Sequence, residues 1–320
     1  MSGVVVAIEL ANPRAERVRR VHRLARRVGR ERAGRFVAEG PQAVREAIRA
    51  HASSGDVVHE LFVTAAAAQR YVDEVTLARA GGLTVVGVTD EVMEALAGTV
   101  HPQGLLAVCG TIDQPLADVL AGRPRLVAVL AHVRDPGNAG TVVRAADAAG
   151  AGGVVLTDAS VDVHNPKCVR STAGSLFHLP VCQGADAAET VEALRAAGLT
   201  VLAADGTGDH DLDDLADDAA ADAQALLTRP TAWLFGNEAW GLAEQTRALA
   251  DAVVRVPLHG RAESLNLAMA ATVCLYASAR AQRRTTPHEA SALRYDTDAS
   301  ARTRYSRSMP SGSTASTGGA

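Results

Sequence analysis

From Arg125 onward, short continuous apolar runs alternate with segments of helical spacing, and this rhythm constrains the fold more than any other feature of the chain. The apolar runs fall near 126–131, 153–157, 199–203, 231–235 and 252–256, and the helical segments near 138–150, 165–173, 186–197, 242–250 and 264–282. A strand that is apolar at every position, rather than at every second one, has to be buried on both faces. The rhythm therefore predicts an α/β fold, a parallel sheet with helices on both faces.

A smaller α/β unit precedes it. FVAEG at 36–40 reads as a strand stopped by Gly40-Pro41. A helix over 42–51, a strand over 57–64, an Ala-rich helix over 65–80, a strand over 83–89, a helix over 90–97 and a last strand over 104–110 follow. Ahead of this unit, residues 14–35 hold ten Arg and two Glu, with Val18, Val21, Leu24, Ala25 and Val28 at helical spacing. That pattern is an amphipathic helix with a basic face, either a solvated arginine surface or a contact for RNA. Residues 111–124 are punctuated by Pro and Gly and read as a linker. Residues 283–320 are rich in Ser, Thr, Gly and Arg without apolar periodicity, the composition of a disordered tail.

Composition narrows the class. A length of 320 residues suits one large or two ordinary domains, and with only 3% aromatic residues the core has to be built from Ala, Val and Leu. The net charge of −4 conceals an asymmetry: residues 1–50 carry twelve Arg against five Glu, whereas residues 205–222 carry eight Asp and no Lys or Arg. The acidic stretch reads as a solvated loop or helix, with a metal site the lesser alternative because nothing in its spacing fixes the ligand geometry. The cysteines, at 109, 168, 182 and 274, have no C-x-x-C spacing, which argues against a zinc ribbon or a disulfide framework and fits a reducing cytosol. No signal-peptide pattern opens the chain, and no run approaches the roughly 20 apolar residues of a membrane helix. The expectation is a soluble cytoplasmic protein with no resident metal.

Three runs carry the chemistry. Residues 127–147 form a buried strand, a Pro-Gly-Asn turn and a helix with Arg144; residues 231–242 form a strand that stops at Gly236-Asn237-Glu238; residues 256–276 form a strand end, a polar loop and an abrupt Ala-rich helix. Ser264 or Asn266 is placed to cap that last helix, and free N–H groups at a helix start suit anions and polar ligand edges. Within these runs stand N-x-G-x-x-x-R at 138–144, G-N-E-x-x-G-L at 236–242 and P-x-x-x-x-x-E-S-L-N at 257–266. In this order and at these separations they resemble the SpoU/TrmH-type RNA ribose 2'-O-methyltransferases of the SPOUT superfamily, over roughly residues 10–280. FVAEGPQAVREAI at 36–48 and HPQGLLAV at 101–108 are similar to the N-terminal substrate-binding domain of that family.

The resemblance implies a basic N-terminal helix and RNA substrate-binding domain over 1–110, the linker 111–124, a SPOUT methyltransferase domain over 125–282 and the tail. It further implies a deep trefoil knot over about 231–276, a rare exception to ordinary chain connection. S-adenosyl-L-methionine is the implied cofactor, held by Gly236, Val256 and Leu265. Asn138, Arg144, Glu238, Ser264 and Asn266 are the implied catalytic set. Arg144 would orient the 2'-hydroxyl and stabilise the forming alkoxide, since a free guanidinium is too weak an acid to serve as a base. Glu238 would order a loop or an arginine rather than take a proton. Arg45, Arg49, Gln103, Arg134 and Lys167 are further candidates for contact with RNA. Trp240 departs from the family, where small residues are common, and would narrow the pocket, stack on a base or pack at the knot. His132 and His164 match no family position.

The implied partners are RNA, with ribosomal RNA (23S) favoured over transfer RNA by the extra domain, and a second copy in a homodimer, with no membrane. The alternatives are a tRNA ribose 2'-O-methyltransferase and a non-catalytic RNA-binding or ribosome-assembly protein of the same fold. A dinucleotide oxidoreductase does not fit, because GAGG at 150–153 follows a helix and precedes a strand, the reverse of the fingerprint order.

Overall fold

The computed structural model describes residues 5–285, so the expected tail lies, from residue 286 on, outside the described residues. Two sheets make up the described chain. The first contains β1 (Ile8–Leu10), β2 (Arg35–Glu39), β3 (Val58–Thr64), β4 (Val85–Val88) and β5 (Leu105–Gly110), in the order β1-β4-β3-β5-β2. Strand β5 runs antiparallel to β2 and β3, while β4 is parallel to β1 and β3. Its helices are α1 (Glu16–His22), α2 (Arg27–Ala33), α3 (Pro41–Ser54), α4 (Ala65–Arg70), α5 (Val72–Ala80) and α6 (Asp90–Leu96).

The single basic helix expected over 14–35 is broken. A 3-10 turn spans Arg23–Ala25, and Arg26 is extended at φ −99° and ψ 141°. The cause is Arg30, whose guanidinium donates to the carbonyls of Leu24 and Ala25 at 2.9 and 3.0 Å, acceptors that a continuous helix would have used itself. Gly29 completes the corner, because a Cβ there would stand 2.0 Å from the Arg23 carbonyl oxygen. The Ala-rich helix expected over 65–80 is likewise divided, at Tyr71, which is non-helical at φ −115° and ψ 50°.

The second sheet contains β6 (Leu126–Leu130), β7 (Gly153–Thr157), β8 (Val181–Ala185), β9 (Thr200–Ala204), β10 (His210–Asp211), β11 (Thr231–Phe235) and β12 (Ala252–Arg255). Their order is β10-β12-β9-β11-β6-β7-β8, and every neighbouring pair is parallel. Around it lie α7 (Leu116–Ala121), α8 (Pro136–Ala149), α9 (Pro166–Ser171), α10 (Ala187–Ala196), α11 (Leu212–Ala221), α12 (Glu244–Arg247) and α13 (Leu267–Thr285). The stretch expected as a linker thus carries α7, whose Val119 is buried. The acidic stretch carries α11, which buries Leu212, Leu215 and Ala219 and leaves most of its aspartates in solvent.

Side-chain alternation explains why the strands are apolar throughout. Leu126, Ala128 and Leu130 join the cluster that packs under α8 and α13, while Val127, Val129 and Ala131 join the cluster under α10. Trp233 and Phe235 of β11 face the first cluster, and Ala232 and Leu234 the second. The four cysteines are buried and unbonded, and burial pushes the Cys168 and Cys274 thiols up to about 12, so they act as packing groups. Among the described residues no helix is long and apolar enough to cross a membrane.

The strand order positions the site. From β6 the chain runs outward through β7 to β8, and the later strands all lie on the other side of β6, with β11 directly beside it. The carboxyl ends of β6 and β11 therefore flank a topological switch point, where parallel α/β sheets open a crevice.

Candidate active site

Three loops converge on that crevice. The first joins β6 to α8. Pro136 opens the helix, and Asp135 caps it by accepting from the Asn138 N–H at 2.8 Å. The Lys167 ammonium, 2.8 Å from the Asp135 carboxylate, and then the Asn138 N–H hold that carboxyl below its ordinary range. Asn138 thereby stands in the first turn of the helix with a fixed backbone.

The second loop follows β11. Asn237 and Gly241 exchange backbone hydrogen bonds at 2.8 and 2.9 Å, closing a tight turn. The buried Asn237 side chain ties this turn down, donating to the His132 carbonyl at 2.8 Å and accepting from the Ala239 N–H at 2.8 Å. Gly236 is required by the turn itself, since a Cβ would lie 2.2 Å from the Gly241 carbonyl carbon. The missing Cβ there makes room for the backbone of the turn. Glu238 accepts from the N–H groups of Arg134 and Asp135 at 3.4 and 3.2 Å and from Asn138 Nδ2 at 3.2 Å.

The third loop runs from β12 to α13. Helix α13 begins at Leu267, and Asn266 caps it, its Oδ1 accepting from the Ala268 N–H at 2.9 Å and the Met269 N–H at 3.4 Å. The Asn266 Nδ2 donates to Asn138 Oδ1 at 3.0 Å. Glu238, Asn138 and Asn266 thus form one hydrogen-bonded chain that joins all three motifs.

Beside this chain lies a cavity of about 320 Å³. Gly236, Val256 and Leu265 all line it, together with Glu238, Ser264 and Asp205 at the end of β9. Its wall combines Val256, Leu258 and Leu265 with the acidic residues Asp205, Glu238 and Glu263. Such a mixture suits a ligand that combines a flat apolar ring with cationic groups. Asn138 and Asn266 stand outside this lining and are joined to it through Glu238. Arg144 also stands outside it, exposed on α8, and among the described residues its guanidinium has no hydrogen-bond or ion-pair partner.

The other basic candidates divide. The Arg134 guanidinium lies 5.1 Å from the centroid of the Trp240 ring. Lys167 is engaged by Asp135, Arg45 by Glu74 at 2.7 Å and Arg49 by Glu46 at 2.9 Å. Gln103 lines a separate concavity near α4 and α6. A larger concavity, about 580 Å³, lies over α1 and α2 among Arg20, Arg23, Arg26, Arg27 and Arg32. His164 is a core residue: it is buried against the Phe36 ring, its Nε2 accepts from the Ile112 N–H, and burial first of all lowers its pKa. His132 pairs with Asp158 at 3.3 Å. Asn237 and Asp205 were not singled out from the sequence. The first sits inside the G-N-E motif; the second opens the acidic stretch 205–222, whose charge alone does not point to a cavity wall. Among the described residues no three His, Cys, Asp or Glu side chains are gathered to hold a metal ion.

Comparison with known proteins gives the same geometry a context. Residues 125–276 match the model of the SpoU rRNA methylase family, and residues 15–107 match an MRM3-like substrate-binding domain. A 23S rRNA (guanosine(2553)-2'-O)-methyltransferase of Bacillus subtilis is 30% identical over 270 residues, covering 84% of this chain and 98% of its own. A 23S rRNA (uridine(2479)-2'-O)-methyltransferase of Streptomyces viridochromogenes is 42% identical over 150 residues, a match that spans 45% of this chain and 49% of its own. Among solved structures, the AdoMet-bound rRNA methyltransferase of Sinorhizobium meliloti superposes with a TM-score of 0.71 at 29% identity, covering 85% of this chain and 97% of its own. The SpoU methyltransferase AviRb of Streptomyces viridochromogenes, in complex with AdoMet, gives 0.69 at 33% identity over 85% of this chain and 100% of its own.

Proposed function

The chain belongs to the SpoU rRNA methylase family, and from that premise we propose that it transfers a methyl group from S-adenosyl-L-methionine to a ribose 2'-hydroxyl of 23S ribosomal RNA. The observation that carries the site assignment is the hydrogen-bonded chain Glu238–Asn138–Asn266 beside a cavity that holds Gly236, Val256 and Leu265 in its wall.

The cavity fits the cofactor chemically. Val256 and Leu265 offer apolar faces to an adenine, and the carboxylates of Asp205 and Glu238 offset the charge of a sulfonium or ammonium. When bound, S-adenosyl-L-methionine supplies a methyl carbon already made electrophilic by its sulfonium. The protein's own task is then orientation: the 2'-oxygen takes the methyl as the S–CH3 bond breaks, and its proton leaves to solvent. Arg144, exposed on α8, takes the RNA: it orients the 2'-hydroxyl and an adjoining phosphate and stabilises the forming alkoxide electrostatically. Asn138 and Asn266 hold neutral donors and acceptors at fixed positions. Glu238 orders the loop through its three accepted hydrogen bonds, and Ser264 contributes a hydroxyl to the cavity wall.

In this reading residues 1–110 bind the RNA substrate, with the five arginines over α1 and α2 meeting phosphates, 111–124 connect, and 125–282 form the catalytic domain. The insertion of β11 and β12 between earlier strands supports a trefoil-knotted path over about 231–276. Met269, Val273 and Tyr276 are 57, 44 and 43% exposed and recur at helical spacing along α13, which supports a homodimer through that helix. A ribosomal substrate supports a cytoplasmic location.

Purified protein with methyl-labelled cofactor tests the assignment. Unmodified 23S ribosomal RNA should take label, transfer RNA should not, and primer extension should map the label to a ribose. No label in either RNA, or an Arg144→Ala variant as active as the native enzyme, would remove the reading.

A further inference from the structure

The turn that closes over the cavity carries an unusual side chain for this molecule. The chain has two tryptophans. Trp233 is fully buried and donates to Ser278, whereas Trp240 is 53% exposed, and among the described residues its indole N–H has no hydrogen-bond partner. Trp240 sits between Ala239 and Gly241, both of which line the cavity. Its backbone is held by the paired Asn237 and Gly241 hydrogen bonds, so the ring stands on a rigid support. The Arg134 guanidinium covers one face of it, 5.1 Å from the centroid. The Arg134 backbone is tied to the same hydrogen-bonded chain as Asn138 and Asn266, its main-chain N–H donating to Glu238 at 3.4 Å.

An exposed indole backed by a guanidinium is a surface for a flat, electron-rich partner. Single-stranded RNA offers one: a base pulled out of its stack, which proteins take on aromatic faces without reading its edges. A 2'-hydroxyl presented in line with a methyl donor belongs to a nucleotide whose neighbours cannot remain regularly stacked around a protein turn. We propose that Trp240, backed by Arg134, is the stacking platform for an unstacked RNA base beside the acceptor ribose. The base lies on the indole face opposite the guanidinium, and Arg134 is left its outer edge for a phosphate. This inference rests on the RNA-methylating activity proposed above, and it adds a base-binding subsite to it.

The test uses the full chain and 23S ribosomal RNA transcribed in vitro. Because Trp233 is enclosed, RNA that stacks on Trp240 should quench the accessible part of the tryptophan emission, and Trp240→Phe should abolish that quenching. Trp240→Phe keeps an aromatic face and should bind RNA within about threefold of native, whereas Trp240→Ala and Trp240→Leu should both bind about tenfold more weakly. The KM for RNA should rise with that loss, while the cofactor Kd by calorimetry and the unfolding temperature stay unchanged. Absence of quenching, native affinity in Trp240→Ala, or equal affinity of the Leu and Phe variants would overturn the platform. A parallel loss of cofactor affinity would do so too, by assigning the ring to the cofactor cavity. Quenching without methyl transfer in the native protein would instead strike the proposed function and leave the platform standing.

Discussion

The side-chain amide of Asn266 donates to Asn138 Oδ1 at 3.0 Å, bridging 128 residues of sequence at the mouth of the crevice. The same residue caps α13 through its Oδ1, so one side chain serves both the fold and the site. The two roles separate by substitution. Asn266→Ala should cost about 1 kcal/mol of stability, the ordinary value of a lost cap, and lower the methyl-transfer rate. Asn266→Ser should keep the cap and the unfolding temperature but still lower the rate, because its shorter side chain does not reach Asn138. Thermal unfolding and initial rates on the two variants check this, and equal activity of Asn266→Ser and native enzyme would count against a role for the bridge.

Arg144 is exposed, and among the described residues its guanidinium has no hydrogen-bond or ion-pair partner to lose. Arg144→Ala should therefore leave unfolding within about 0.5 kcal/mol of native and leave the cofactor Kd unchanged. Methyl transfer should fall by about 100- to 1,000-fold, the usual effect of removing an oriented electrostatic stabiliser. Arg144→Lys should recover little, because a point charge lacks the planar fork that spans a hydroxyl and a phosphate.

Much of this is legible in the sequence. The second sheet announced itself because its central strands are apolar on both faces, as Leu126–Leu130 and Thr231–Phe235 show. The edge strands were missed for the same reason: Val181–Ala185 turns polar at Gln183 and Gly184, and His210–Asp211 has two residues. Strand β1 is largely exposed and likewise carried no burial pattern. The break between α1 and α2 was hidden because it depends on a side chain, Arg30, bonding to carbonyls, and spacing alone still reads as one helix. At the site, motif residues were visible as motifs. That Glu238, Asn138 and Asn266 bond in series was not, since the sequence does not say which residue of each loop faces the others. The Arg134–Trp240 contact joins two loops that become neighbours only through the β6–β11 pairing.

Gly236 tests the turn. A methyl group there would sit 2.2 Å from the Gly241 carbonyl carbon and 2.4 Å from the Leu242 nitrogen, and both neighbours are backbone. Gly236→Ala should destabilise by about 1–3 kcal/mol, as overpacking does, and weaken cofactor binding because the cavity wall moves. Calorimetry with S-adenosyl-L-methionine beside a denaturant titration checks both, and unaltered affinity would mean that the wall does not touch the cofactor.

His178 gives a pH dependence with a definite sign. Burial disfavours its charged form, but the Asp147 carboxylate at 2.8 Å and the Glu46 carboxylate at 3.2 Å outweigh burial, and its pKa is raised. A raised histidine binds its proton more tightly folded than unfolded. The stabilisation is therefore complete below the ordinary histidine pKa of about 6.5 and is lost as pH climbs through the raised folded value. His178→Gln should lower stability relative to native at pH 5.5 and make little difference at pH 9. Because the imidazole is 41% exposed, the gap should not exceed about 1 kcal/mol. A gap that widens with pH would contradict this assignment.

Asp162 and Arg30 form an enclosed ion pair, at 2.5 Å with side chains 11 and 4% exposed. It fastens α2 to the loop between β7 and α9, so the arginine-lined concavity over α1 and α2 is held to the sheet that carries the site. Removing one partner of such a pair strands the other charge, at a cost of about 3–5 kcal/mol. Asp162→Ala should fall near the lower end, because Arg30 keeps the carbonyls of Leu24 and Ala25. Arg30→Lys should also destabilise, since one ammonium on a thinner stem does not reproduce a fork that reaches two carbonyls and a carboxylate together. With α2 loosened, RNA affinity should drop in both variants while the cofactor Kd holds, because the cavity lies on other loops. Chemical denaturation, RNA filter binding and calorimetry separate these effects, and RNA affinity unchanged in a destabilised Asp162→Ala would show that the arginines of α1 and α2 do not meet the RNA.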